Sequence, residues 1–279
     1  MKTKILFTSA FFLGLILLGI NISGFFIPLR SERLLEETAY GHKTDDQIDL
    51  SADEALQILE YSGGISEEDT IKTGTETVEK AILHYWDDEL ADEFGLRVPM
   101  HENWILWGGS HIMPQYFRKY EFCHYWEKGI ERGVGWCSQS SSILAQYLRK
   151  RDVNADIYVM YGHVVVIAGT LRHVADPDYG VYLPFTIEEI ESDPEMIRPY
   201  YADAGYSAEE IGIAVRAFDP NAEKLIAPDF VRYSDYCALR HRIFEQVVYI
   251  LKWLIPILFI APLVYSAYRR NNLEHIRSN

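Results

Sequence analysis

From Ile5 to Leu29 the chain carries no charged residue, and near its other end the stretch Val247 to Tyr268 has none apart from Lys252. Apolar runs of this length suit a hydrocarbon surround, in which a helix satisfies its own backbone groups. A chain with such a run at each end is therefore constrained to a membrane-associated architecture with its polar part between them. The expected layout is an anchor over residues 1–29, a folded domain over 30–245, a second span over 246–268 and a short basic tail over 269–279.

The first run begins after Lys2 and Lys4, as a signal peptide does. No Ala-x-Ala-like cleavage site follows, because Asn21-Ile-Ser-Gly-Phe-Phe-Ile-Pro-Leu continues the apolar stretch, so an uncleaved anchor is the expectation. In the second run Lys252 is placed to snorkel toward an interface, Trp253, Tyr265 and Tyr268 sit at belt-like positions, and Arg269-Arg270 closes it. Pro256 and Pro262 are tolerable within a bilayer. Two spans place both termini on one side, and the basic ends (Lys2, Lys4, Arg269, Arg270, Arg277) point to the cytoplasm, leaving the central domain extracytoplasmic. Arg30, Arg33, Arg240 and Arg242 flank the spans on the opposite side and weaken that vote.

The formal net charge is −15, which excludes a broad basic surface for nucleic acid. The chain has three cysteines, Cys123, Cys137 and Cys237. An oxidising exterior permits one bridge, and Cys123 with Cys237 is the pairing that leaves Cys137 free; two buried unpaired thiols are the equal alternative.

Ser51 and Glu54 have the spacing of a capping box ahead of a helix through Leu59. A second helix is expected from Glu76 to about Phe94, its carboxylates Asp87, Asp88, Glu89, Asp92 and Glu93 reading as a solvated face rather than a hard-metal site. Ser138 to Arg151 reads as a helix with Ser141, Leu144, Ala145 and Leu148 on one stripe. Ala155 to Tyr161, His163 to Ala168 and Leu171 to Ala175 have the composition of strands. Phe185 to Ala217 returns to helical patterns broken at Pro194 and Pro199.

Against this frame Gly133-Val-Gly-Trp-Cys137 places a thiol at a glycine-rich approach to a helix start. There the helix N-terminus is expected to lower its pKa, and Ser138 or Ser140 to help cap the helix. Downstream, if Gly169-Thr170 is a two-residue turn, Ala168 faces Leu171, and stepping back along the hairpin brings His163 opposite Asp176 with both side chains on one face. Moving the turn pairs His163 with Asp178 instead. Thiol, imidazole and carboxylate in that order are the parts of a nucleophilic cysteine site. His173 falls on the other face of the sheet. His42, His84, His101, His111, His124, His241 and His275 have no such paired position, and none makes a zinc motif with the cysteines. No acidic loop has calcium-ligand spacing, and no metal or cofactor is expected.

Gly135-Trp-Cys137, Gly162-His163-Val and Asp176-Pro177 together resemble the transglutaminase-like superfamily, within the papain-like cysteine-enzyme group, over about residues 120–185. The resemblance implies an α+β fold in which the nucleophile helix packs on an antiparallel sheet, here flanked by two transmembrane helices. It implies Cys137 as acyl-accepting nucleophile, His163 as base and then acid, and Asp176 as its orienter, the Asp-Pro step favouring Asp176 over Asp178. Two departures touch the substrate groove: Asp152-Val-Asn-Ala-Asp stands where the family has Gly-x-Pro-Ala-Arg, and Val164 where an aromatic often follows the histidine. An oxyanion hole would use the Cys137 N–H plus a side-chain donor, with Asn103 as candidate and Trp104 next, although an Asn also serves to cap or turn a local segment.

The implied activity is a thioester-forming, membrane-anchored cysteine enzyme that hydrolyses a peptide or amide bond or passes the acyl group to an amine. The alternative is a catalytically silent module of the same fold in a cell-envelope or surface-polysaccharide assembly. Expected partners are a protein or peptide substrate, the lipid bilayer and such envelope components.

Overall fold

The computed structural model describes residues 2–31, 48–61, 66–84, 95–234 and 236–278. Helices α1 (Lys2–Ser23), α2 (Ala52–Tyr61) and α3 (Glu67–Ala81) are followed by the short strand β1 (Leu83–His84), then α4 (Met100–Ile112), α5 (Pro114–Phe117) and α6 (Trp126–Arg132). Strand β2 (Val134–Gly135) leads into α7 (Cys137–Lys150), and β3 (Ala155–Met160), β4 (His163–Ala168), β5 (His173–Asp176) and β6 (Val181–Thr186) follow. The chain continues through α8 (Ile187–Ser192), a 3-10 turn at Pro194–Ile197, α9 (Arg198–Asp203), α10 (Ala208–Phe218), α11 (Pro220–Ile226), β7 (Tyr233–Ser234) and α12 (Leu239–Ser278). Two compact units result, one from Leu29–Leu96 with Tyr120–Ile243, the other from Met1–Pro28, Arg97–Lys119 and Phe244–Asn279.

The first unit is mixed α and β. Its sheet is antiparallel, with order β6-β5-β4-β3-β7. β4 lies at the centre and is buried along its whole length, which explains its unbroken Val164-Val-Val-Ile run. Val164, Val166 and Ala168 pack with Ile143, Leu144 and Leu148 of α7 and Ile71 and Val78 of α3. The alternate residues Val165 and Ile167 pack with Ile190, Ile197, Tyr201 and Phe218 from the later helices. Strand periodicity thus divides the core into two layers around one sheet. α3 approaches α7 so closely that a Cβ on Gly74 would lie 2.9 Å from both Leu144 and Tyr147 side-chain atoms, so any larger residue there would force those side chains to shift.

Several sequence expectations hold. The Ser51 N–H donates to Glu54 Oε2 and the Glu54 N–H to Ser51 Oγ, the reciprocal capping pair ahead of α2. α7 and β4 fall where the patterns place them, and Cys123 is bridged to Cys237, leaving Cys137 as the free cysteine.

The helix expected from Glu76 to Phe94 instead ends at Ala81, having started at Glu67 behind the Ser66 cap, and the backbone turns extended at Ile82. The acidic positions Asp87, Asp88, Glu89, Asp92 and Glu93, together with Arg33 and His42, lie outside the described residues.

In the second unit, α12 contains the one segment among the described residues, Leu239–Ser266, that is long and apolar enough to cross a membrane. The apolar part of α1, Phe7–Ser23, is shorter, so one such helix stands where two were expected. Ile250, Leu254, Ile257 and Leu258 leave α12 with an exposed apolar side. Gly14 lets α1 meet α12 closely, since a Cβ there would sit 2.8 Å from the Pro256 carbonyl oxygen.

Lys252 does not snorkel outward. It is buried, its Nζ donates to the Glu102 carbonyl (2.5 Å), and it lies 3.8 Å from Glu102 Oε1. Tyr249 donates to the same Oε1 at 2.7 Å, and Asn21 Nδ2 donates to the Lys252 carbonyl at 2.6 Å. A cation on an apolar helix takes partners from neighbouring segments when these are at hand, because an unpaired charge in apolar surroundings is costly.

Candidate active site

Cys137 is the first residue of α7, and the chain reaches it through β2, which pairs in parallel with β1 so that His84 stands opposite Gly135. Two glycines make this entry. Gly133 closes α6 in the left-handed region (φ 73°), and a Cβ on Gly135 would come within 2.6 Å of the Gln139 Cβ in the first turn of α7. The helix has no side-chain cap: Trp136 is its N-cap residue and Ser138 Oγ donates to Glu121 Oε1 instead.

His163 opens β4, one residue after Gly162 (φ 79°) in the β3–β4 turn. Its Nε2 lies 2.8 Å from Asp176 Oδ2. That bond leaves Nδ1 as the other ring nitrogen, and a His163 ring nitrogen lies within 4.8 Å of the Cys137 sulfur. Asp176 is fully buried and is held from two further directions, Tyr201 donating its hydroxyl to Oδ2 at 2.7 Å and the Asp178 N–H reaching Oδ1 at 3.2 Å. Tyr179 presents its edge or face to the His163 ring at 5.7 Å. The imidazole is therefore fixed in orientation by a carboxylate that is itself fixed.

The register is not the one that sets His163 opposite Asp176 but the alternative, with the turn moved, in line with His163 opposite Asp178. β4 and β5 pair as Val166↔Ala175, Ile167↔Val174 and Ala168↔His173, so the connection is the longer Gly169-Thr-Leu-Arg172 turn, with Gly169 and Arg172 both at positive φ (75° and 56°). The shift is by two residues, and an even shift keeps His163 and Asp176 on the same face. They meet as diagonal neighbours, within reach of long side chains, rather than directly opposite. His173 hydrogen-bonds Tyr182 through Nδ1 (2.5 Å) and takes no part in the triad.

A second carboxylate–imidazole pair adjoins the first. Asp178 Oδ1 is 2.5 Å from His84 Nδ1, and both residues are buried. Donor atoms of Cys137, His163 and Asp178 all lie within 4.8 Å of one another. In the sequence His84 has no paired position comparable to that of His163, which left it a surface or core role. The available signal was Ala81-Ile-Leu-His84, an apolar run after a helix end that fits a short buried strand equally well. Sequence spacing likewise showed no metal motif, yet the fold gathers sulfur, nitrogen and oxygen donors from three separate segments.

Burial governs the thiol. Cys137 is 9% exposed, and desolvation pushes its pKa up, against the lowering hydrogen bond and charge of His163 and with the charges of Asp178 and Glu121. The expected lowering by the helix start does not prevail. For His163, burial is the largest single influence and opposes the charged form, but the charge and hydrogen bond of Asp176, with those of Cys137, together raise its pKa well above the ordinary value. Transfer of the thiol proton to His163 gives a thiolate–imidazolium pair.

Asn103 belongs to the other unit. It sits at a non-helical step in α4 (φ −156°, ψ 98°), where its Oδ1 accepts from the N–H groups of Ile105 (3.1 Å) and Leu106 (3.3 Å), a local capping role. The indole of Trp104 donates to the Lys252 carbonyl at 3.3 Å.

Comparison with protein-family models, with curated proteins and with solved structures finds no match.

Proposed function

We propose that this chain is a membrane-anchored, transglutaminase-like cysteine enzyme with its folded domain outside the cytoplasm. One observation carries the reading: His163 is bonded to Asp176 through Nε2 at 2.8 Å, and a ring nitrogen of the same imidazole lies within 4.8 Å of the Cys137 sulfur. This is the nucleophile, base and orienter arrangement of acyl-transfer enzymes.

In the proposed reaction the Cys137 sulfur, deprotonated, attacks an amide carbonyl carbon. Negative charge develops on the carbonyl oxygen, beside the first-turn amides of α7, which have no partner within the helix. The protonated His163 gives its proton to the departing amine as the C–N bond breaks, leaving a thioester on Cys137. Water or an amine then gives a proton to His163 as it bonds to the thioester carbonyl carbon, the C–S bond breaks, and His163 returns that proton to the departing sulfur, restoring the thiol. Hydrolysis is the default outcome, because favouring an amine over water requires a site that excludes water. The apolar helices α1 and α12 hold the domain at a lipid bilayer.

The test is covalent trapping in the detergent-solubilised full chain. A panel of glutamine-containing and other amide peptides is offered, and thioester on Cys137 is measured by intact mass after an acid quench. Adducts that disappear in Cys137→Ser and His163→Ala are expected. Cys137 alkylation with the same rate and pH profile in His163→Ala as in the wild type would overturn the reading.

The burial of the thiol supports a second reading, a silent module of the same fold within an envelope or surface-polysaccharide assembly. On that reading no amide substrate forms an adduct, and the protein is recovered with such partners instead.

A further inference from the structure

We propose that Cys137, His163 and Asp178 form a binding site for a borderline-soft divalent cation, best fitted by Zn2+, and that the bound ion reversibly blocks the thiol. The site itself stands whether or not the chain is an enzyme. Only its blocking consequence rests on the function proposed above.

The donors are one sulfur, one imidazole nitrogen and one carboxylate oxygen, mutually within 4.8 Å. Metal–ligand distances of about 2.0–2.3 Å place tetrahedral donors about 3.4 Å apart, so closure asks for at most about 1.4 Å of side-chain adjustment. A thiolate–imidazole–carboxylate set suits zinc and not calcium or magnesium, which take oxygen ligands. Three protein ligands leave the fourth tetrahedral position to water.

The surroundings of the ligands strengthen the case. His163 Nε2 is engaged by Asp176 at 2.8 Å, which leaves Nδ1 to face a metal with its ring already oriented. Asp176 is in turn held by Tyr201 at 2.7 Å. Asp178 is steadied through Oδ1 by His84 Nδ1 at 2.5 Å. A ligating histidine backed by a carboxylate, and a ligating carboxylate held by its own hydrogen bond, are the usual supports of a metal centre. The ligands come from α7, β4 and the β5–β6 connection, so the site forms only in the folded chain.

Binding replaces the thiol proton: a metal–sulfur bond forms, the S–H bond breaks and the proton passes to solvent. No electron transfer is involved. While the ion is held, the sulfur lone pair is committed to it and attack on a carbonyl or an alkylating agent is blocked.

The experiment uses the full chain in detergent, chelator-treated, with its disulfide intact. Cys137 is then the only free cysteine, so a thiolate-to-Co2+ charge-transfer band can arise from it alone. Titration with Co2+ is expected to give that band with one equivalent bound, Zn2+ to abolish it, and Zn2+ to protect Cys137 from iodoacetamide. Cys137→Ser and Asp178→Ala should lose the complex, while Asp176→Asn should weaken it about 10–100-fold. Absence of a thiolate band, or Zn2+ affinity unchanged in Cys137→Ser or in folded Asp178→Ala, would overturn the site. If Asp178→Ala fails to fold, the wild-type Co2+ spectrum decides. A cobalt–thiolate complex in a protein that traps no acyl group supports the site and removes the catalytic reading. A thioester-forming protein without that complex does the reverse.

Discussion

His163 and Asp176 are hydrogen-bonded at 2.8 Å although they are not directly opposite in the β4–β5 ladder. The carboxylate reaches diagonally along one face, and it is kept there by Tyr201 and by the Asp178 amide. The orientation of the imidazole therefore depends on a carboxylate fixed by two other donors.

Replacing that carboxylate by an amide removes the acceptor that selects the imidazole tautomer. Asp176→Asn should keep the fold while slowing thioester formation by about 10^3–10^4-fold, by analogy with the equivalent change in a serine triad. Single-turnover trapping with a peptide that labels the wild type, alongside thermal unfolding, checks this. Asp178→Asn, whose carboxylate pairs with His84 rather than with the triad imidazole, should slow it far less. Equal losses in two folded variants would mean that both carboxylates orient His163.

The thiol should ionise late. Burial raises the Cys137 pKa, and the Asp178 and Glu121 charges add to it beyond what His163 offsets. Since the thiolate is the nucleophile, the alkylation rate should climb with pH into the alkaline range, above about 8.5, where an ordinary thiol is half ionised. Asp178→Asn removes one opposing charge and should move the profile to lower pH. A profile that stays put, or moves up, would show that the Asp178 charge does not act on the sulfur.

His163 ties stability to pH with the opposite sign from a buried carboxylate. Burial opposes its charge, but Asp176 and Cys137 together lift its folded pKa well above the ordinary imidazole value. Its contribution is then fully present below the unfolded value of about 6.5 and is lost as pH rises through the folded value. Urea midpoints measured across that window should fall for the wild type and stay flatter for His163→Gln. An equal alkaline decline in both proteins would assign the effect to other groups.

The bridge between Cys123 and Cys237 spans a sequence separation of 114. Cross-linking a loop of about 100 residues restricts the unfolded chain by about 4–5 kcal/mol in the chain-entropy account. Reduction, or the double change Cys123→Ala with Cys237→Ala, should lower the unfolding free energy by several kcal/mol without removing Cys137 reactivity. A loss below about 1 kcal/mol would indicate a denatured state already compact enough to hold the two segments near each other.

The sequence by itself determined the local parts: the Ser51–Glu54 cap, the helix beginning at Cys137, the buried strand from His163 and the side of the sheet shared by His163 and Asp176. Each is encoded by neighbours a few residues apart, through capping spacing or the period of a helix or strand, so each is legible without a fold. The α+β class was an implication of the family resemblance, and the apolar runs at the ends are a matter of composition. The tertiary structure decided between the two β4–β5 registers that the sequence leaves open, because a turn of Gly169 to Arg172 is chosen by packing on both faces of the sheet as much as by its own residues. It also decided the pairing of His84 with Asp178, separated by 94 positions, and that of Lys252 with Glu102, separated by 150. Contacts across such distances leave no period to read. The thiol's pKa direction belongs to the same class: the helix start at Cys137 is visible in the sequence, whereas the desolvation that outweighs it exists only once α7, β4 and the loops around them close over the sulfur.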